Sequence, residues 1–128
     1  MAEMSNYLEN ALINVTLRNT AYTAPTTVYL ALYTTDPTDA DTGTEVSGGS
    51  YARQSITFGA PSNGVSTNSA AIEFPQATGS WGTITHVGIR DALTVGNLLY
   101  HTPLDVSKTI ASGDIFRVAI GSLSVTLA

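Results

Sequence analysis

Beyond residue 25 this chain never runs far without a turn signal. Ala60-Pro61-Ser62-Asn63-Gly64, Thr78-Gly79-Ser80, Val95-Gly96-Asn97 and Ser112-Gly113-Asp114 punctuate it, leaving room for segments of about 8–12 residues. The segments read as strands: Thr26 to Thr34, Tyr51 to Phe58, Val65 to Phe74, Thr83 to Arg90, Asn97 to Thr102, Asp105 to Ile110, Ile115 to Ile120 and Ser122 to Leu127. Thr26 to Thr34 is apolar on both alternating sets, as in a central strand covered on both faces. The last segment sets Leu123, Val125 and Leu127 against Ser122, Ser124 and Thr126, the alternation of a sheet with one wet face. Gly121 between the final two segments reads as a bulge within one bent strand. The expected fold class is mainly β: a single antiparallel β-sandwich or barrel-like domain over residues 1–128, with about seven or eight strands.

One stretch escapes this punctuation. Residues 6–18 contain neither Gly nor Pro, and Asn6 with Glu9 has capping-box spacing. At helical periodicity Met4, Tyr7, Leu8, Ala11, Leu12 and Val15 share one face, which is expected to dock on the core. Ile13 and Leu17 fall on the opposite side, where a singly docked helix needs no apolar residues. They are the candidate protein-interface residues.

Composition narrows the function. Charged residues make up 12% of the chain, about half of what globular domains carry, while 12 Ser and 19 Thr supply hydroxyls in their place. A net charge of −5 with a pI near 4.6, and basic residues confined to Arg18, Arg53, Arg90, Lys108 and Arg117, argue against nucleic acid. No apolar run is long enough to span a bilayer. The opening Met1-Ala2-Glu3-Met4 has no basic n-region, so no secretory signal is expected. The absence of cysteine excludes disulfides and thiolate chemistry.

Catalytic signatures are missing: there is no Gly-x-Ser-x-Gly, no His-Glu-x-x-His, no P-loop and no Gly-x-Gly-x-x-Gly. Alternation with Val87 and Ile89 turns His86 and Arg90 outward, and His101 stands beside Tyr100 at a strand end. No enzyme activity, catalytic residue, cofactor or metal is expected. The acidic loop 35–50 holds Asp36, Asp39, Asp41 and Glu45. Its Asp39-Ala40-Asp41-Thr42-Gly43-Thr44-Glu45 superficially imitates a calcium loop, but it places Gly at position five and its Glu too early. The acids therefore read as solvated surface groups. Asn14-Val15-Thr16 matches a glycosylation sequon by pattern only. Trp81, between Ser80 and Gly82, reads as a core plug.

Three blocks of sequence carry a resemblance. They are Ser5-Asn6-Tyr7-Leu8-Glu9-Asn10-Ala11-Leu12 with Arg18-Asn19-Thr20; Val28-Tyr29-Leu30-Ala31-Leu32-Tyr33-Thr34 through Asp36-Pro37-Thr38 to Gly43-Thr44-Glu45-Val46-Ser47-Gly48-Gly49-Ser50-Tyr51-Ala52-Arg53-Gln54; and Trp81-Gly82-Thr83-Ile84-Thr85-His86-Val87-Gly88-Ile89 through Gly96-Asn97-Leu98-Leu99-Tyr100 to Ser107-Lys108-Thr109. Together they resemble small virion proteins of tailed bacteriophages, labelled either capsid decoration (cement) or tail-fibre proteins. The resemblance implies passive binding to a virion surface and no catalytic residues. A fibre shaft needs repeats or long heptads, which this chain lacks. The expected function is therefore capsid decoration: binding the assembled major capsid protein lattice on the outer capsid surface after synthesis in the host cytoplasm. The expected partners are the major capsid protein and further copies of the chain, with neither nucleic acid nor membrane. The alternative is a tail-fibre or tail-associated protein with a host-surface or carbohydrate-binding role.

Overall fold

A computed structural model of the chain describes residues 2–127. The strands are β1 (Glu3–Met4), β2 (Val28–Tyr33), β3 (Gln54–Ile56), β4 (Val65–Thr67), β5 (Ile72–Glu73), β6 (Gly82–Arg90), β7 (Leu98–Ile110), β8 (Arg117–Val118) and β9 (Ser124–Thr126), with one helix, α1 (Asn6–Leu17), after β1. All pairings are antiparallel. A five-stranded sheet runs β1-β7-β6-β2-β3, and two ribbons, β4-β9 and β5-β8, complete the structure. The fold is mainly β as expected, and its sheets stay open rather than closing into a barrel. Among the described residues, no helix is long and apolar enough to cross a membrane.

Register decides what each face of the sheet carries. Leu30 lies opposite Ile89 and Leu32 opposite Val87, so these four project together. They join Phe74, Trp81 and Phe116 in one buried cluster. Trp81 packs edge-on against Tyr51 and Phe74, at centroid distances of 5.4 and 6.3 Å, and donates its indole N–H to Gly49 O at 2.8 Å. It is a core plug, and its one polar atom is satisfied. On the other face the same register sets Ala31 opposite Gly88, Tyr33 opposite His86 and Tyr29 opposite Arg90. Gly88 is small by necessity, because a Cβ there would lie 2.8 Å from both Leu98 Cδ1 and Tyr33 Cε2.

Several expected strands are shorter, or joined differently, than their sequence suggests. Val65 to Phe74 divides into β4 and β5 because Asn68, buried between them, bonds across to the β8–β9 connection. Its amide donates to Ala70 O and Ala119 O and accepts from Leu123 N. Gly121 is a turn at φ +77 rather than a bulge, since β8 and β9 on either side pair with different strands. The two segments expected at Asn97 to Thr102 and Asp105 to Ile110 form one strand, β7. Its register against β6 shifts between Ile84 and His86, opposite Lys108 and Pro103, and Pro103 is tolerated in mid-strand at that irregularity.

The helix docks differently from its periodicity. Its N-cap is Ser5, one residue earlier than expected: the hydroxyl accepts from Leu8 N at 3.2 Å and donates to Leu98 O. That anchors the first turn to β7. Leu8 is the one fully buried helical residue, whereas Tyr7 and Val15 from the expected docking stripe are each 41% exposed. The helix is anchored to β7 at its N-terminal end, and its middle is half-buried.

Candidate functional site: a charged face beneath the acidic loop

Strand alternation turns Tyr33, His86, Arg90 and His101 away from the apolar core, and the loop after β2 folds back over them. An Asx turn starts that return: Thr38 N donates to Asp36 Oδ1 at 2.9 Å. The far limb then lies along the end of β2, with Thr34 N bonded to Thr44 O and Val46 N to Leu32 O. Gly43 permits the curl, because a Cβ there would lie 2.6 Å from Pro37 Cα.

The four loop acids each meet a base. Glu45 binds Arg53 bidentately, with Nε to Oε2 and Nη2 to Oε1 both at 2.8 Å, and accepts from the Tyr51 hydroxyl at 2.7 Å. Asp41 binds Arg90 bidentately at 2.8 and 2.9 Å. Asp39 Oδ1 is 2.7 Å from His101 Nε2. Asp36 Oδ1 lies 3.8 Å from His86 Nε2 and 3.9 Å from His101 Nδ1. The expectation of solvated acids holds in part: Asp36 and Asp39 stay 56% and 45% exposed, whereas Asp41 and Glu45 are tied into bidentate pairs with buried arginines.

The outward orientation of His86 and Arg90, away from Val87 and Ile89 as alternation requires, holds, but the face they share is not open to solvent. Arg90 is 7% exposed, and beyond Asp41 its guanidinium donates to Tyr33 Oη at 3.0 Å and Gly96 O at 2.9 Å. His101 sits within β7 rather than at its end, and is buried.

The same two arginines hold a second loop, residues 91–97. Arg53 Nη1 donates to Ala92 O and Val95 O, both at 2.8 Å, and Arg90 Nε reaches Val95 O at 3.3 Å. Val95 has φ +56, a conformation that β-branched residues avoid. It persists because two buried guanidiniums fix its carbonyl. Leu93 and Val95 are thereby displayed to solvent, Val95 at 81% exposure. The sequence marks Val95-Gly96-Asn97 as a turn but not its anchoring by the two arginines. The available signals were the two arginines and Asn97 after Val95-Gly96, but their partners are distant in sequence.

Electrostatics follows the geometry. Burial pushes the Glu45 carboxyl up, but hydrogen bonds from Arg53 and Tyr51 and the Arg53 charge outweigh it, so the pKa is lowered overall. Burial together with the bond to Glu45 holds the Tyr51 hydroxyl far above the usual phenol range. Burial also raises Tyr33, against the opposing influence of Arg90. The buried charges are thus matched ion pairs, an arrangement suited to fixing loops in place. His86 Nδ1 bonds to Thr85 Oγ1 of the same strand at 2.8 Å, and His101 Nε2 bonds to a carboxylate.

Residues 3–126 match a family described as podophage GP4 fiber I protein gp80. The chain belongs to this gp80 fiber I family. No curated protein matches it. Membership makes the chain a tailed-phage virion structural protein, as the sequence resemblance implied, and a fibre description fits the tail-fibre alternative better than capsid decoration. The gp80 family is one of structural fibre proteins and not a known enzyme family. Ile13 and Leu17, the candidate interface residues, are exposed at 52% and 79%. They share α1 with exposed Tyr7 and Val15.

Proposed function

We propose that the chain is a fibre-associated structural component of the virion that works by non-covalent docking, with α1 as its contact element. The observation that carries this is the helix itself. It is capped and anchored at one end, yet Tyr7, Ile13, Val15 and Leu17 are left exposed, Leu17 most of all. Burying a Leu or Ile side chain in an interface is worth about 1.5–3 kcal/mol, so a contact on this helix gains most by covering Ile13 and Leu17. The occupant we assign to this face is a neighbouring fibre protein, in keeping with the family description. A sugar-binding tip is less well supported, because Trp81, the side chain best suited to stacking on a glycan, is buried in the core.

Quantitative proteomics of purified particles tests location. A fibre component should be present at about three to a few dozen copies. Hundreds of copies, comparable to the major capsid protein, would restore the decoration reading. Ile13→Ser combined with Leu17→Ser should remove the protein from particles while leaving its solution Tm unchanged. Unchanged occupancy would refute α1 as the contact.

A further inference from the structure

We propose that Glu3, Asp39 and His101 form a binding site for one divalent transition-metal ion of the zinc type, at the seam between β1, the acidic loop and β7. Glu3 Oε2, Asp39 Oδ1 and His101 Nε2 all lie within 4.8 Å of one another. Donors about 2.0–2.2 Å from a tetrahedral zinc stand roughly 3.4 Å apart. The observed separations from His101 Nε2, 2.7 Å to Asp39 and 3.9 Å to Glu3, fall on either side of that value. Shifts of roughly half an ångström in two carboxylates with considerable solvent exposure would complete the geometry.

The backbone sets this convergence. Glu3 is directly opposite His101 in the β1–β7 ladder, so both side chains leave the same face of the sheet. Asp39 is tethered from the third direction, its carbonyl accepting from Asn6 N at 2.8 Å. The His101 imidazole is itself 95% removed from solvent, since its side chain is 5% exposed. Its Nε2 edge meets the two carboxylates at a concavity of about 490 Å³ that Glu3, Asp36, Asp39 and His101 line. A fourth ligand position facing that opening can be filled by water. On the ring's other side Asp36 Oδ1 lies 3.9 Å from Nδ1, which adds negative charge beside the site but is beyond hydrogen-bond reach.

Charge argues in the same direction. Glu3, Asp36 and Asp39 converge here, and among the described residues no lysine or arginine forms an ion pair with any of them. Arg53 and Arg90 are already matched by Glu45 and Asp41. An imidazole donor favours zinc-type ions over calcium, which takes oxygen ligands. The calcium-like run in the loop therefore contributes Asp39 alone, because Asp41 and Glu45 face the arginines.

Isothermal titration of the full, EDTA-stripped chain with zinc chloride tests the site, alongside thermal unfolding. The expected result is one zinc per chain and a Tm rise on the order of 10 °C at a hundredfold excess over Kd. Glu3→Gln and Asp39→Asn should each weaken binding at least tenfold, while Asp105→Asn, exposed on β7, should not. Glu3 is largely exposed, so its variant keeps the test valid if other substitutions unfold the chain. No stoichiometric zinc binding by the unaltered chain, or wild-type affinity in both carboxamide variants, would overturn the proposal.

Discussion

Neutralising Asp41 and removing Arg90 should each destabilise the protein, but the two losses should not add. The pair is asymmetric: the Arg90 side chain is 8% exposed and that of Asp41 35%. In Asp41→Asn, chosen because Asn tolerates the φ of +58 at this position, the guanidinium stays buried and charged and keeps Tyr33 Oη and Gly96 O as partners. Breaking a buried pair this way costs about 3–5 kcal/mol, and water reaching the partly open Asp41 side lowers that to roughly 2–3. Arg90→Met replaces the charge with an apolar chain and leaves Tyr33 Oη and Gly96 O without this donor, while Val95 O keeps Arg53. Orphaned groups of that kind cost about 1–3 kcal/mol each, so a total near 3–4 is expected once those nearest solvent rehydrate. With Arg90 gone, Asp41 has no buried charge to satisfy, and the double variant should resemble Arg90→Met alone. The coupling energy is then about 2 kcal/mol. For 128 residues, 1 kcal/mol corresponds to roughly 4 °C in Tm. The expected losses are about 8–12 °C, 12–16 °C and 12–16 °C for the two single variants and the double. Urea and thermal unfolding followed by fluorescence of Trp81, the single tryptophan, measure all four corners of the cycle. Losses that add within about 0.5 kcal/mol would refute the account of Arg90 as a buried cation whose charge depends on the loop.

Two further outcomes follow from the same face of the sheet. Glu45 has a lowered pKa in the folded state, so its stabilising contribution is complete above the unfolded value of about 4.3 and is lost as pH falls through the lower folded value. Tm measured from pH 7 to pH 2.5 should therefore fall more steeply below about 4.3 in the wild type than in Glu45→Gln, bringing the two curves together; parallel curves would contradict this. Val95→Gly removes the left-handed penalty of about 1–2 kcal/mol against a glycine entropy cost of about 0.5–1. Tm should rise by about 2–4 °C, and a fall would show that the backbone of Val95 is not strained.

The turn punctuation made the architecture legible because turns are local: Pro, Gly and Asn state their backbone requirements within three or four residues. The same holds for β2, apolar on both faces and buried accordingly, and for Trp81. What stayed hidden depends on contacts between distant positions. Alternation correctly placed His86 and Arg90 opposite Val87 and Ile89, but only the tertiary path of the loop shows that this second face is covered. The helix misled for a related reason. Periodicity reports an apolar stripe without saying what meets it, and Tyr7 and Val15 face solvent while Leu8 is buried and Ala11 and Leu12 are half-buried. Asn68 ended a strand that propensity would have continued, because its amide had two backbone partners in the β8–β9 connection, Ala119 O and Leu123 N, and a third at Ala70 O.

Low charge and a strained, displayed loop become parts of one arrangement once the ion pairs are placed. Of the chain's five basic residues, Arg53 and Arg90 are used internally, and each bonds both an acid of the first loop and a carbonyl of the second. Two guanidiniums therefore lock two loops to one sheet. A flexible loop would have to be ordered on docking, at roughly 1–2 kcal/mol per residue; a loop already fixed avoids that cost. Rigidity here comes from charges matched within the fold, so they need not be stripped of water again when a partner arrives. Among the exposed apolar groups are Leu93 and Val95 at the loop tip and Ile13 and Leu17 on the helix. In the docking role proposed here, loops fixed in advance by Arg53 and Arg90 would let those apolar groups be covered with little conformational loss.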